Sequence, residues 1–583
     1  MKREENMTEN KTLTITLAHI NDTHSYFEPT SYQFRIEVEN QVYSPFVSVG
    51  GFARLASRAQ QLKANALAKN QGFLFLHAGD CFQGTLYFSL FKGKANAELL
   101  NALSIDAMAL GNHELDMGND PVGQFVRQIN FPLLAGNWDL SNEYKDKLNP
   151  LRNLNNIYSF DDETRSAKYI VRDIDGERIA IFGLSLDLMA DIANPDIDTP
   201  FVNALETARN TIDKIHQEGI NKIILLSHLG YEGDLRLAGE VQGISVIVGG
   251  HSHVLQGDFS KLGVTSRDVY GVRVNQTVVV QAGYHALTLG HCELTFDEHG
   301  IVQQCEGKNE ILIGRRFFVD ASLSETVEDH IRRNVLATIH NHGNVVVCKK
   351  DPYIQSIIQN KYQPKVRQLQ AQQVAFLTSP ARHIRIPDEQ GGSVIAPLVA
   401  KSFYYAMANR GYAPDFAIHN AGGVRNSLNA GQVSLADIAG KILPFAVPIG
   451  VYKIQGHHIA TILEGAINNA ISNGVAGTGS GSYPYCYHLD FKYDRHAPLG
   501  SRILNLKIMG EFGWEFVVSH RVYTGTSSAY TMKGKEGYDA ILNMQDAGEV
   551  TALSMADCFI EFLADNPKTF EQSATYENAM LIP

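Results

Sequence analysis

TLTITLAHI runs into Asp22 and His24, and FLFLHAG into Asp80. AMALG runs into Asn112, KIILLS into His228, and ISVIVGG into His251 and His253. This recurrence constrains the fold more than any other feature. Short apolar runs alternating with helical stretches such as GGFARLASRAQQLKANALAKN predict a layered α/β unit. In open α/β sheets, polar side chains just past the C-terminal strand ends converge on one rim. The Asp22/His24 and His251/His253 spacings of two put both side chains on one side of an extended segment.

These seven side chains are all oxygen or imidazole donors. One such histidine alone reads most simply as a satisfied core or surface group. Several strand ends finishing alike do not. Seven donors suffice for two cations about 3.5–4 Å apart that share a carboxylate. Mixed His, Asp and Asn ligation suits Zn, Mn, Co, Fe or Ni better than Ca or Mg alone.

The rest of the chain sets limits. At 583 residues it exceeds one core, so two domains and a connecting segment are expected. Net charge is −12 and pI about 6.0, which excludes the broad basic face of a nucleic-acid binder. Six cysteines without a CxxC pair read as buried thiols. No apolar run approaches the roughly 18 residues of a membrane span. As written, the N-terminus has no leader-like apolar region, which predicts a cytoplasmic protein, or a periplasmic one if a leader has been removed. The domain reading is a flexible N-terminus over 1–11, a first domain over 12–350, a linker helix over 351–371 opened by Asp351 and Pro352, and a second α/β domain over 372–583. A helix is also expected within SLSETVEDHIRRNVLATIHNHG.

DTH, GD, GNHE, SH and GHSH, in that order over residues 21–254, resemble the calcineurin-like metallophosphoesterases. The resemblance implies a four-layer domain of two mixed sheets flanked by helices. It implies one metal on Asp22, His24, Asp80 and His253, and a second on Asp80, Asn112, His228 and His251. Some relatives carry Gln where His253 stands. His113 and Asp116 are left over, three residues apart on one helical turn and so on one face. The carboxylate would fix the imidazole's tautomer and hold it protonated, and His113 would stabilise charge on a phosphoryl oxygen attacked by acidified water. Glu114 reads as structural, pointing away from the chemistry.

In the second half, HNAGGVRN is a glycine turn with Asn420 and Arg425, and ILPFAVPIG sets Phe445 beside a proline. SSAYTMKGKEGYD puts Tyr530 six residues before Glu536. Taken alone these are weak signals, because aromatic residues are usually core. Together NAGGVRN, LPF and GKEGY resemble the C-terminal domain of 5'-nucleotidases. That resemblance implies Arg385, Asn420 and Arg425 on phosphate or ribose, Phe445 and Tyr530 clamping the base, and Glu536 on ribose hydroxyls or the base edge. Many relatives have Phe at the Tyr530 position and Asp at the Glu536 position. RIPDEQGGSVI, with Ser393 in place of an Asn, is similar to the NAD nucleotidase branch. In relatives the second domain turns about the linker helix to carry substrate to the metals.

The resulting expectation is dimetal-dependent hydrolysis of nucleoside 5'-monophosphates, extending to pyrophosphate bonds of NAD, UDP-sugars or ADP and ATP. A 2',3'-cyclic-nucleotide phosphodiesterase with 3'-nucleotidase activity is the alternative. A sulfate-ester hydrolase on this scaffold should lack the aromatic clamp, and a non-catalytic nucleotide binder should show a degraded donor set. The expected partner is a small-molecule nucleotide, with neither nucleic acid nor membrane, and monomer and dimer remain equally open.

Overall fold

The strand Leu13–Ile20 lies at the centre of the first sheet, parallel to Gly72–His77 and antiparallel to Thr288–Phe296. Beyond Gly72–His77 the parallel series continues through Ala107–Ala109, Leu133–Leu134 and Ile157–Tyr158. On the other side Val302–Phe318 follows, then Phe46–Val49 and Thr30–Gln33, with Val345–Val347 also paired to Val302–Phe318. The computed structural model describes residues 12–147, 149–318, 328–445, 447–570 and 580–582. The N-terminal stretch 1–11 and the start of the helix expected near 322 lie outside these residues; the described part of that helix is Asp329–His340.

A second, six-stranded sheet has a parallel centre, Glu177–Ser185, Lys222–His228, Val246–Gly249 and Thr277–Val280, with antiparallel edges Ile170–Ile174 and Val272–Val274. Its strands are almost wholly apolar because both faces are covered. Leu17, Leu76 and Leu294 of the first sheet meet Ile181, Leu226 and Val248 of the second. On its other face Phe182, Leu225 and Ile247 pack on helices Ala204–Gln217 and Tyr231–Glu240. Helix Phe52–Ala68 turns Phe52, Leu55, Ala59, Leu62 and Ala66 onto the first sheet. The order is helix, sheet, sheet, helix: the four-layer sandwich expected.

One polar tie secures that helix. Arg58 Nε and Nη2 donate to the two Glu310 carboxylate oxygens at 2.6 and 2.9 Å, and His291 Nε2 lies 3.1 Å from Glu310. Burial pushes the Glu310 carboxyl up, but His291 and Arg58 outweigh it and hold it at about 2. Removing one partner of a buried pair costs about 3–5 kcal/mol. Glu310→Gln is therefore expected to lose that much stability in urea unfolding at pH 7. A depressed carboxyl stabilises above its unfolded value of 4.5, and that contribution fades as pH falls towards 2. The gap between the two proteins should close over the same interval.

The chain divides into two units, Met1–Gln83 with Phe91–Gln363, and Gly84–Leu90 with Pro364–Pro583. Asp351 accepts from Ile354 N at 2.9 Å and caps a helix that begins at Pro352. A π-helical turn over Ile358–Tyr362 carries it into Gln363–Ala371. The second unit holds a five-stranded sheet ordered Pro484–Tyr487, Phe416–Asn420, Val522–Ser528, Pro448–Gln455 and Glu549–Ser554. Helices Ile395–Ala408 and Met555–Asp565 pack on it. A smaller sheet runs Gly513–Phe516, Ile503–Gly510, Leu489–Asp494 and Met580–Ile582. Cys305 and Cys348 are half-buried and the other four cysteines are buried. Among the described residues no helix is long and apolar enough to cross a membrane.

Candidate active site

The loops that leave the central strands of both sheets bring all seven expected donors together. Asp22, His24 and His253 form one group, and Asp80, His228 and His251 another, each with ligand atoms within 4.8 Å of one another. His253 Nε2 lies 3.3 Å from Asp22 Oδ1, and His228 Nε2 lies 3.1 Å from Asp80 Oδ2. Asn112 Oδ1 is 2.9 Å from His251 Nδ1. Asp22, His24, Asp80, His251 and His253 all have positive φ, between 46° and 71°. Such backbone is uncommon outside glycine and clusters where surrounding structure over-determines it. Gly111 allows the closest approach: a Cβ there would sit 2.1 Å from Asp80 Oδ1.

The donor set fits divalent cations. The Nδ1 atoms of His228 and His24 face the Ala78 and Phe82 carbonyls at 2.7 and 3.0 Å. That fixes the tautomer and leaves each Nε2 as the ligand atom. His228 Nε2 is buried and faces the Asp80 carboxylate. His24 Nε2 and His253 Nε2 face each other at 3.2 Å beside Asp22 and Asp80. Burial holds His24 and His251 down at about 4, neutral as imidazole ligands must be. Burial pushes the Asp80 carboxyl up, but His228 and His113 outweigh it and keep it well below the usual range.

His113 and Asp116 form a pair beside this cluster. His113 Nδ1 donates to Asp116 Oδ2 at 2.7 Å, and His113 N donates to Asp80 Oδ1 at 2.9 Å. Burial pulls His113 down, but Asp116 and Asp80 outweigh it and raise it to about 10. The ring is cationic at neutral pH.

Three further residues support the cluster: Glu114, read from the sequence as structural, and Asn21 and His285, which the sequence reading did not single out. Glu114 is buried, and its carboxylate accepts from the N–H groups of Asp80, Cys81, Phe82 and Gly111 at 2.7–3.0 Å. It points away from the donors, as expected, yet it fixes the loop that carries Asp80. Asn21 donates to Asp22 Oδ2 at 2.7 Å and to Gly283 O at 2.6 Å. His285 stacks on Tyr26 at 3.8 Å, with its ring 5.7 Å from that of His24. His285 follows the apolar run QTVVV, one more strand end of the same kind.

In the second unit, Asn420 ends the strand Phe416–Asn420, and Arg425 follows its glycine turn. The Arg425 guanidinium lies 5.4 Å above the Phe445 ring. Burial and then Arg385 lower its pKa. Arg385 also acts on Glu536, whose carboxyl burial pushes up and whose hydrogen bond from Tyr530 holds down. Arg385, Arg425, Phe445, Tyr530 and Glu536 all keep part of their surface exposed, whereas Asn420 is buried. Neither Arg385 nor Arg425 has a carboxylate ion-pair partner among the described residues.

A sandwich with metal donors along one rim is the plan of a calcineurin-like phosphoesterase, and the model of that domain matches residues 15–255. The model of the 5'-nucleotidase C-terminal domain matches residues 373–543. Both parts of a 5'-nucleotidase are thus matched in this one chain. A probable 5'-nucleotidase of Treponema pallidum is 28% identical over 94% of this chain and 91% of its own. The NAD 5'-nucleotidase of Haemophilus influenzae is 28% identical over 96% and 91%. The solved 5'-nucleotidase precursor of Thermus thermophilus aligns with a TM-score of 0.67 at 26% identity, over 95% of this chain and 97% of that one. The chain is a metal-dependent phosphoric monoester hydrolase that uses two divalent ions.

Proposed function

We propose that the protein hydrolyses nucleoside 5'-monophosphates to nucleoside and phosphate, and that pyrophosphate-linked nucleotides such as NAD are also substrates. The choice of a nucleotide is carried by Arg385 and Arg425. Two neighbouring guanidinium groups, neither in an ion pair among the described residues and one of them over an aromatic ring, suit an anion attached to a planar base. The names of the relatives support the same reading.

Asp22, His24, Asp80 and His253 would hold one ion, and Asp80, Asn112, His228 and His251 the other. When bound, the pair polarises phosphoryl oxygens and lowers the pKa of water to about 7. Every other role falls to the chain. Glu114 and Asn21 hold Asp80 and Asp22 in place. Asp116 fixes the His113 tautomer through Nδ1, so a ring N–H is presented to the phosphoryl oxygen on which charge grows. Arg385, Asn420 and Arg425 hold phosphate or ribose. Phe445 and Tyr530 stack on the base, each stack contributing about 1–3 kcal/mol. Glu536 accepts from ribose hydroxyls.

A nucleotide panel with Mn²⁺ tests this. Phosphate should be released from AMP and its base analogues, and EDTA should abolish release. Turnover of 2',3'-cyclic AMP and 3'-AMP in preference to AMP would overturn the assignment in favour of a cyclic phosphodiesterase.

A further inference from the structure

A cavity of about 280 Å³ opens in the first unit beside the donor cluster, and His253 lines it. The His253 ring stacks on Tyr284 at 5.0 Å and 15°, and Tyr284 lines the same cavity. Its lining includes the buried apolar residues Phe34, Leu255 and Ile311. Its lining residues also include Tyr32, Thr265, Tyr284 and Thr288, which carry hydroxyls. Its lining residues include no lysine, arginine or carboxylate, so it is not built for a phosphate. The volume sits at the lower edge of the roughly 300–1,000 Å³ typical of small-molecule sites, enough for one ring and its sugar.

From this cavity we infer a second substrate subsite in the first unit, one that receives the second organic arm of a pyrophosphate-linked dinucleotide. The inference rests on the nucleotidase reading given above. A phosphoryl group held among Asp22, His24, Asp80 and His253 has the cavity next to it, because His253 belongs to both. A monophosphate has one organic arm. A dinucleoside pyrophosphate has two, and the second needs an uncharged, ring-sized recess beside the reacting phosphorus. In the reaction a water oxygen bonds to that phosphorus, the bridging P–O bond breaks, two monophosphates leave and the water's protons are released.

Val264 lines the cavity and is not one of the clustered donors. Val264→Trp should raise KM for NAD on the order of 10-fold, about 1.4 kcal/mol of lost binding. KM and kcat for AMP should change less than about twofold. Saturation-transfer NMR of NAD on EDTA-treated protein gives a readout without turnover. Both ring systems should receive saturation in the parent and only one in Val264→Trp. If the tryptophan variant does not fold, Thr265→Phe at the exposed rim serves in its place. Equal losses for AMP and NAD, no loss for either, or a parent that turns over AMP but not NAD would overturn the subsite. A parent inactive on AMP and on NAD would instead overturn the nucleotidase reading.

Discussion

His113→Ala is expected to slow phosphate release from AMP by about 10²–10⁴-fold, the range for losing one positioned acid–base or oxyanion group. The protein should still bind two equivalents of Mn²⁺ or Zn²⁺, measured by elemental analysis after gel filtration. The expectation follows from the pairing of the ring. Asp116 at 2.7 Å and the Asp80 carboxylate keep the imidazole charged, so a donor aimed at developing negative charge is in place before the reaction starts. Such preorganised donors need no reorganisation at the transition state. A variant that turns over at the parent rate with full metal content would remove His113 from the chemistry.

Glu114→Gln is the second large effect, and it acts at a distance from the substrate. The carboxylate accepts four backbone N–H bonds from two separate loops. A carboxamide offers one acceptor oxygen and turns an N–H₂ group towards N–H donors. Hydrogen bonds to a charged group contribute about 1.5–3 kcal/mol each, so a loss near 4 kcal/mol is expected in urea unfolding. Because Asp80 stands on the supported loop, cation affinity should fall by about 10–100-fold, as for loss of an outer-shell partner. Metal titration followed by calorimetry reads this directly. Unchanged stability and affinity together would show that the four bonds carry little.

The donors were legible because parallel strands buried on both faces leave an unmistakable boundary where polar residues begin. Asp22, Asp80, His228 and His251 each stand within a few residues of such a boundary. The four layers follow from the same runs. Glu114 was read as structural, but its distant partners were not legible. Glu114 meets residues 32–34 positions upstream, and nothing in a local pattern reports that pairing. His285 was hidden because it stands several residues beyond the end of its strand, Thr277–Val280. The positive φ of Asp22 or His253 is imposed by tertiary structure, since these residue types tolerate that conformation without announcing it. In the second unit, Phe445 and Tyr530 could not be told from core aromatics by pattern. Their partial exposure is a property of the folded loops.

The seven donors are drawn from positions 22 to 253, and Asp22 must find His253 across most of the first unit's length. No short fragment of this polypeptide can assemble the centre. A ribosome must release most of the first unit before the earliest donor meets the last, and loop-closure entropy delays that meeting further. Until then Asp22 and Asp80 travel as ordinary carboxylates, so the nascent chain carries no premature hydrolytic activity.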